Sequence, residues 1–309
     1  MLPNFESQTE NLDGILAALF AASQEIYAEL KKGSGLKFVD SSNDTGDAQI
    51  GLDIIADDAF FKHLTAAGNV KFVVSEERPD MDKISDGQYS VALDPLDGSK
   101  AALVGIPSGA IFGVFKSVET EHDLSGKNIV SGGFFVFGMH LEAYFAEGGK
   151  VYKGIFDEAK SSWNILPLDQ KMPSARFCAV NASNLTLWPE WFRAHYMSLL
   201  DTNGGKNKPH NMRWYGSMVS EIKRLIIEGG LFAYPGDSRP GYANGHLRLV
   251  YEAIPMAYLI KAMGGASTNG EQSILDVAVK GRHQQTPVFI GEIDMIAALK
   301  SAKKESLPL

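Results

Sequence analysis

Residues 91–100 bring together groups that can do chemistry, in the order Val-Ala-Leu-Asp-Pro-Leu-Asp-Gly-Ser-Lys. The apolar residues predict a strand that carries Asp94 and Asp97 at its carboxyl end, in a turn that Gly98 closes. Carboxylates are the oxygen ligands that divalent cations prefer, and the backbone N–H groups of Gly98 and Ser99 suit an anion. The segment therefore predicts a metal site and a phosphate site side by side.

More acids come before this segment, mostly at the ends of predicted strands. Glu76 and Glu77 follow the apolar run 71–74, and Asp47 and Asp53 lie further upstream. Asp-Pro and Asp-Gly pairs are also common in surface turns, so the turn motif alone leaves an ordinary turn and a functional site equally open. The presence of the other acids favours a site.

Six motifs, in this order, resemble the fructose-1,6-bisphosphatase and sedoheptulose-1,7-bisphosphatase family, which belongs to the lithium-sensitive, magnesium-dependent phosphatase superfamily. They are Thr-Gly-Asp to Leu-Asp (45–53), Val-Ser-Glu-Glu (74–77), Asp-Pro-Leu-Asp-Gly-Ser (94–99), Ile-Phe-Gly (111–113), Gly-Ser-Met (216–218) and Leu-Arg-Leu-Val-Tyr-Glu (247–252). The resemblance spans about residues 45–291. Inositol monophosphatases and nucleotidases, other branches of the superfamily, fit less well because Ser-Glu-Glu and Arg-Trp-Tyr-Gly-Ser-Met match the bisphosphatases.

The elements that must position these residues follow from the hydrophobic pattern. Residues 10–66 look helical, strands predominate to about residue 155, and helices and strands then alternate. This pattern predicts helices packed against a largely antiparallel sheet, with a domain boundary near Leu168. We expect a metal- and phosphate-binding domain at 1–168 and a sugar-binding domain at 169–309. The resemblance implies an α+β, layered α/β fold of alternating helices and mostly antiparallel or mixed sheets, with the active site between the domains.

The resemblance also implies a set of metal ligands, all of them oxygen donors. The set is Glu76, Glu77, Asp94, the backbone carbonyl of Leu96, Asp97 and Glu252. Without the motif, Glu252 would more often be an acid that serves the dipole of a helix. Oxygen ligands suit Mg2+, or Mn2+, better than zinc, and we expect two or three ions in the site.

Three further carboxylate assignments concern the reaction itself. Cations would neutralise the phosphate oxygens and hold a water in line for attack. The resemblance nominates Asp53 and Glu77 as the pair that takes the proton from this water. It places Asp47 in a mobile metal loop, where the carboxylate pairs with Arg248.

The remaining site residues are those that the resemblance assigns to the substrate, a small sugar bisphosphate. They are Gly98, Ser99, Asn181, Arg213, Trp214, Tyr234, His246 and Arg248. In the family the arginine that corresponds to Arg213 reaches into the site of a neighbouring subunit. We therefore expect a homo-oligomer, either a dimer or a tetramer.

Departures from the family pattern fall at the far end of the sugar. His246 takes the place of a lysine, Trp214 of a tyrosine that holds the distal phosphate, and Asn184 of another tyrosine. An unperturbed imidazole is largely neutral at pH 7 and holds an anion less strongly than lysine does. We therefore expect the 1-phosphate of sedoheptulose 1,7-bisphosphate to be preferred. A fructose-1,6-bisphosphatase or a dual-specificity enzyme is the alternative, and a catalytically weak binding or regulatory homologue is a remote one.

Composition sets the remaining limits. The chain has 309 residues, 45% hydrophobic and 21% charged, which is enough for two globular domains. The net charge of -8 argues against nucleic acid as a partner. The apolar run 15–22 has helical spacing and acids on both sides, so we expect an amphipathic helix and no membrane partner. A single cysteine, Cys178, fits a reducing compartment: the cytoplasm, or an organelle stroma after removal of a targeting segment that is not visible here.

Overall fold

The computed structural model describes residues 2, 5–42, 48–204 and 208–306. Seven α-helices lie within these residues: α1 (Asp13–Lys31), α2 (Gly51–Ala66), α3 (Ser99–Leu103), α4 (Glu190–Leu200), α5 (Met218–Glu228), α6 (Ile254–Ala262) and α7 (Ile293–Glu305). A π-helical turn, Leu249–Ala253, directly precedes α6. No helix in the described part of the chain is long and apolar enough to cross a membrane.

Besides three short 3-10 turns, the described residues also form fifteen strands. They are β1 (Phe38–Ser42), β2 (Ala48–Ile50), β3 (Val70–Ser75), β4 (Met81–Lys83), β5 (Tyr89–Asp97), β6 (Ser108–Lys116), β7 (Ile129–Phe137), β8 (Leu141–Glu147), β9 (Lys150–Asp157), β10 (Ser162–Pro167), β11 (Phe177–Ala179), β12 (Asn211–Arg213), β13 (Leu231–Tyr234), β14 (Ala266–Thr268) and β15 (Val288–Gly291).

Two sheets dominate the architecture. The larger has eight strands in the order β10-β9-β8-β7-β6-β5-β3-β4, and every pair is antiparallel except β3 and β5. The smaller has five strands in the order β12-β11-β13-β15-β14, with β11 parallel to both of its neighbours. Strands β1 and β2 form a separate antiparallel pair.

The helices and sheets alternate in layers, because each sheet is apolar on both faces. Along β7, Phe135 and Phe137 join the hydrophobic core formed with α1 and α2, whereas Phe134 and Val136 join the core formed with α5 and α6. The five-stranded sheet contributes to this second core, and its other face packs against α4 and α7. The layered α/β fold predicted from the sequence is confirmed.

Two local predictions were wrong. The chain between α1 and α2 is not helical, because Gly33 and Gly35 adopt positive φ and β1 follows. A Cβ atom at Gly35 would lie 2.5 Å from the backbone nitrogen of Leu52, so only glycine fits there. The strand that carries the acids also continues further than expected: β5 runs through Asp97, and a register shift against β6 falls between Asp94 and Asp97. Such a bulge re-aims side chains next to a site.

Candidate active site

A cavity of about 490 Å³ lies where the end of β5 meets the first turn of α5 and strand β13. We call the part of its wall formed by acids the acid end, and the part formed by aromatic and amide side chains the far end, or sugar end. The lining includes Asp53, Glu76, Glu77, Asp94, Leu96, Asp97, Gly98, Ser99, Asn181, Trp214, Tyr234, His246 and Glu252. Thirteen of the residues predicted from the sequence therefore share one cavity.

The acid end centres on three carboxylates. One oxygen each from Asp94, Asp97 and Glu252 lies within 4.8 Å of the others. Asp94 and Glu252 are only 4% and 6% exposed. Burial, and next the negative charge of Glu76, raise the pKa of Asp94 well above its ordinary value. Buried carboxylates this close are unfavourable unless a cation joins them, so the donor set fits a divalent metal ion.

Asp97 joins the two halves of the chain. Its Oδ2 accepts hydrogen bonds from the Ser217 hydroxyl and from the N–H of Val219, both at 2.9 Å. Burial raises the pKa of Asp97, and these bonds oppose the rise. The next residue, Gly98, has φ +79°, and a Cβ atom there would lie 2.7 Å from that of Ser217. Glycine is required at this position by backbone conformation and by space.

Asp53 lies in the first turn of α2 and faces the cavity. Its Oδ2 accepts the N–H of Ile50 at 2.6 Å. Burial raises the pKa of Asp53 to about 7, and the charge of Glu77 contributes to the rise. A carboxylate with this pKa accepts and releases a proton near neutral pH, as a general base requires.

Glu76 and Glu77 are held by the backbone that follows β3. The N–H of Glu76 donates to Leu93 O at 3.0 Å. The Ser75 hydroxyl accepts the N–H of Glu77 at 3.2 Å and donates to Asp57 Oδ1 at 2.6 Å. The backbone of both glutamates is thus fixed, and their side chains line the cavity.

Glu252 reaches the cavity from the π-helical turn, an irregularity that is frequent at functional sites. Its carboxylate accepts the backbone N–H of Arg248. Arg248 itself is 3% exposed, its guanidinium donates to His246 O, and it is not part of the cavity wall. Through these two hydrogen bonds, Arg248 supports Glu252 and His246.

Two residues singled out in the sequence, Arg213 and Asn184, lie outside the cavity wall, as Arg248 does. Arg213 lies exposed on the edge strand β12, where its guanidinium donates to Met212 O at 2.8 Å, and it does not line the cavity. Asn184 lines a separate, smaller cavity together with Asn181 and Trp188, and it is not part of the wall of the main cavity. Asp47 falls outside the described residues.

The far end of the cavity is aromatic. The ring of Trp214 lies parallel to that of Phe232, with centroids 6.2 Å apart, and beside Tyr234 at 6.1 Å. His246 is between two tyrosines, with centroids 5.2 Å from Tyr242 and 6.4 Å from Tyr234. Flat rings with polar edges suit the carbon face and the hydroxyl groups of a sugar.

Comparisons with known proteins agree on one family. The model described as "Fructose-1-6-bisphosphatase, N-terminal domain" matches residues 3–166, and the corresponding C-terminal domain model matches residues 172–304. The class 1 fructose-1,6-bisphosphatase of Paracoccus denitrificans is 32% identical over 92% of this chain and 88% of that protein. The chain belongs to the fructose-1,6-bisphosphatase family. It is a phosphoric monoester hydrolase of the sugar bisphosphatase type, in a metal-dependent family.

Other members of the fructose-1,6-bisphosphatase family are similar over most of the chain. A class 1 enzyme of Rhodobacter capsulatus is 36% identical over 81% of this chain and 77% of that protein. The crystal structure of Leishmania major fructose-1,6-bisphosphatase in holo form has a TM-score of 0.90 at 27% identity, over 96% of both chains. The apo form of the same protein has a TM-score of 0.85 at 25% identity, over 97% of this chain and 96% of that one.

Two residues of the cavity wall that contact predicted acids were not among the predicted site residues. Gln49 donates to Glu77 Oε2, and Ser217 supports Asp97. Ser217 stands directly before the first residue of α5, a position where Ser is favoured, so the Gly-Ser-Met motif carried a usable signal. Gln49 had none, because its role depends on the pairing of β2.

Proposed function

We propose that this protein hydrolyses the 1-phosphate of a ketose bisphosphate, with sedoheptulose 1,7-bisphosphate preferred over fructose 1,6-bisphosphate. The observation that carries the proposal is the joining of two unlike ends in one cavity. Buried carboxylates at one end suit a metal and a phosphate, and an aromatic wall with His246 at the other suits a sugar. A sugar bisphosphate carries a phosphate on either side of a sugar and so presents both kinds of chemistry to such a site.

At the acid end, we assign the metal ions to Glu76, Glu77, Asp94, the carbonyl of Leu96, Asp97 and Glu252, and we identify the metal as Mg2+, with Mn2+ as a substitute. When bound, these cations supply neutralisation of the phosphate oxygens and of the leaving alkoxide. Two observations support the assignment: the carboxylate oxygens of Asp94, Asp97 and Glu252 lie close together, and these side chains are buried. Asp47 belongs to the same proposal through the family motif.

The protein's own groups do the rest of the chemistry. Asp53 and Glu77 take the proton of the attacking water, and the pKa of about 7 at Asp53 supports its part in this step. We assign the oxygens of the 1-phosphate to the N–H groups at Gly98 and Ser99, which have no partner inside α3 because that helix begins there.

The far end determines which sugar is preferred. His246 replaces the lysine of the family pattern and offers an imidazole within a group of aromatic rings. This wall holds a distal phosphate less strongly than an ammonium group does, and it gives the extra carbon of a seven-carbon sugar a flat surface. Asn181, Tyr234 and Trp214 complete this wall.

The proposal also includes a role for Arg213 between subunits and a separate function for each of two domains. Arg213 is exposed on an edge strand, where it is available to the site of a neighbouring subunit in a dimer or tetramer. The eight-stranded sheet ends at Pro167 and the five-stranded sheet begins at Phe177. This break supports a metal- and phosphate-binding domain at 1–168 and a sugar-binding domain at 169–309.

The test is phosphate release with Mg2+ from the two bisphosphates, measured side by side as kcat/KM. A preference of about tenfold for the seven-carbon sugar, about 1.4 kcal/mol of transition-state discrimination, supports the proposal. Equal or reversed values indicate a fructose-1,6-bisphosphatase or a dual enzyme. Activity on neither sugar favours the catalytically weak homologue.

A further inference from the structure

The loop between β13 and the π-helical turn is held together by backbone hydrogen bonds to Tyr242. The carbonyl of Tyr242 accepts the N–H groups of Asp237 and Gly245, both at 2.9 Å, and the N–H of Tyr242 donates to Arg239 O at 3.0 Å. Three backbone hydrogen bonds therefore meet at Tyr242. The loop therefore fixes the main-chain position from which the Tyr242 ring extends.

The ring of Tyr242 contacts two cationic or potentially cationic groups. The His246 ring lies nearly parallel to it, at 14°, with centroids 5.2 Å apart. The guanidinium carbon of Arg239 lies 3.9 Å from the centre of the same tyrosine ring. Contacts of these two kinds fix the orientation of a ring.

Arg239 is itself fixed by an acid. Its Nε and Nη2 donate to the carboxylate of Asp237 at 2.6 to 3.0 Å, and Asp237 is 6% exposed. The hydrogen bonds from Arg239 hold the pKa of Asp237 below its ordinary value. This pair holds the guanidinium against the Tyr242 ring, and Arg239 does not line the cavity.

Only the last member of this series reaches the cavity. His246 lines the cavity, whereas Tyr242, Arg239 and Asp237 do not. A lysine at this place would swing freely on a long stem, but an imidazole stacked on a fixed tyrosine presents its nitrogen atoms in one direction.

We infer that Tyr242 is a positioning residue, which holds the His246 ring for the phosphorylated far end of the sugar. The inference rests on the proposed function, since it assigns that end of the cavity to the distal phosphate. It adds a residue that lies outside the cavity and that no motif points to. Affinity for the distal phosphate, and not the chemical step, is what Tyr242 controls.

The test uses ligands that separate the two ends of the site. Fructose 6-phosphate and sedoheptulose 7-phosphate carry only the distal phosphate, and inorganic phosphate probes the metal end. Calorimetric titrations with Mg2+ are made for the wild type, Tyr242→Ala and Tyr242→Phe. We expect Tyr242→Ala to weaken both sugar phosphates about five- to tenfold, to leave inorganic phosphate unchanged, and to raise KM for the bisphosphate without changing kcat. Tyr242→Phe keeps the ring and should behave as the wild type.

A second pair of variants isolates the route through His246. In a His246→Ala background, Tyr242→Ala should weaken the sugar phosphates no further, because the ring that it positions is gone. Equal weakening of sugar phosphate and inorganic phosphate, or a full extra loss in that background, would overturn the inference. Tyr242→Leu preserves apolar bulk if the alanine variant does not fold, and wild-type binding by Tyr242→Leu would also overturn it. Binding is measured without turnover, so absence of hydrolysis in the wild type counts against the proposed function and not against Tyr242.

Discussion

The two ends of the cavity are held in place by different means. At the acid end each of four carboxylates accepts a backbone N–H: Asp53 from Ile50, Asp94 from Leu96, Asp97 from Val219 and Glu252 from Arg248. At the sugar end, stacked side chains hold one another, as His246 and Tyr242 do. Backbone donors are present whatever the neighbouring side chain is, whereas a stack changes with one substitution. The end to which we assign the chemistry is therefore the harder of the two to alter, and the end to which we assign the choice of sugar is the easier.

The largest effect is expected from Asp94→Asn, which removes a buried carboxylate but keeps its shape. We expect kcat to fall by about a thousandfold, or about 4 kcal/mol, because the metal loses a central ligand. Steady-state phosphate release measures it. Asp80→Asn, at an exposed position, is the control and should leave kcat unchanged. A rate for Asp94→Asn equal to the wild type would remove the basis for the metal assignment.

Removal of metal should make stability depend on pH. In the folded chain the pKa of Asp53 is raised from 3.8 to about 7, so the unfolded chain ionises first as the pH rises. The stabilisation is fully present below pH 3.8 and is lost as the pH passes 7. With a chelator, we expect the free energy of unfolding to fall by on the order of 4 kcal/mol through Asp53 across this range.

Denaturant unfolding at a series of pH values measures this loss. Asp53→Asn should reduce the loss, and Asp58→Asn, at an exposed position of the same helix, should not. Saturating Mg2+ should reduce it as well, because the cation favours the ionised carboxylates. An identical pH dependence in all three proteins and with Mg2+ would contradict the burial of a titrating acid at this site.

A smaller effect at the acid end is expected from Ser217→Ala, which removes one hydrogen bond to Asp97. We expect Mg2+ affinity to weaken about tenfold, as for other groups that orient a metal ligand. Titration of Mg2+ by calorimetry measures the change. Ser220→Ala is the matched control on the same helix, because its hydroxyl donates to Pro107 O and not to a predicted ligand. Equal losses in both variants would point to the helix and not to Asp97.

The smallest effect is expected at the sugar end, from His246→Lys. An ammonium group should improve kcat/KM for fructose 1,6-bisphosphate about threefold, the contribution of one exposed ion pair. Asn244→Lys adds the same charge to an exposed part of the loop and should change nothing. If His246→Lys left the ratio of the two sugars unaltered, the histidine would have no part in selection.

The same contrast explains how much could be predicted from the sequence. Asp94 and Asp97 lie in a short motif whose spacing already points to metal chemistry, the family resemblance adds Glu252, and the cavity unites the three. The contact of Tyr242 with His246 could not be predicted, because outside regular structure a separation of four residues fixes no direction. The strands β1 and β2 were missed because the apolar pattern predicts a helix through this region, whereas Gly33 and Gly35 end it.

The route of the chain through the site has a consequence for biosynthesis. The acids up to Asp97 leave the ribosome early, whereas Ser217, Val219 and Glu252 follow only after more than a hundred further residues. Until these arrive, Asp97 lacks its two hydrogen-bond donors and the cluster lacks one carboxylate. On the proposed metal assignment, a chain that stops before Glu252 lacks one of the three clustered carboxylates, so we expect metal binding and hydrolysis to require synthesis at least through Glu252.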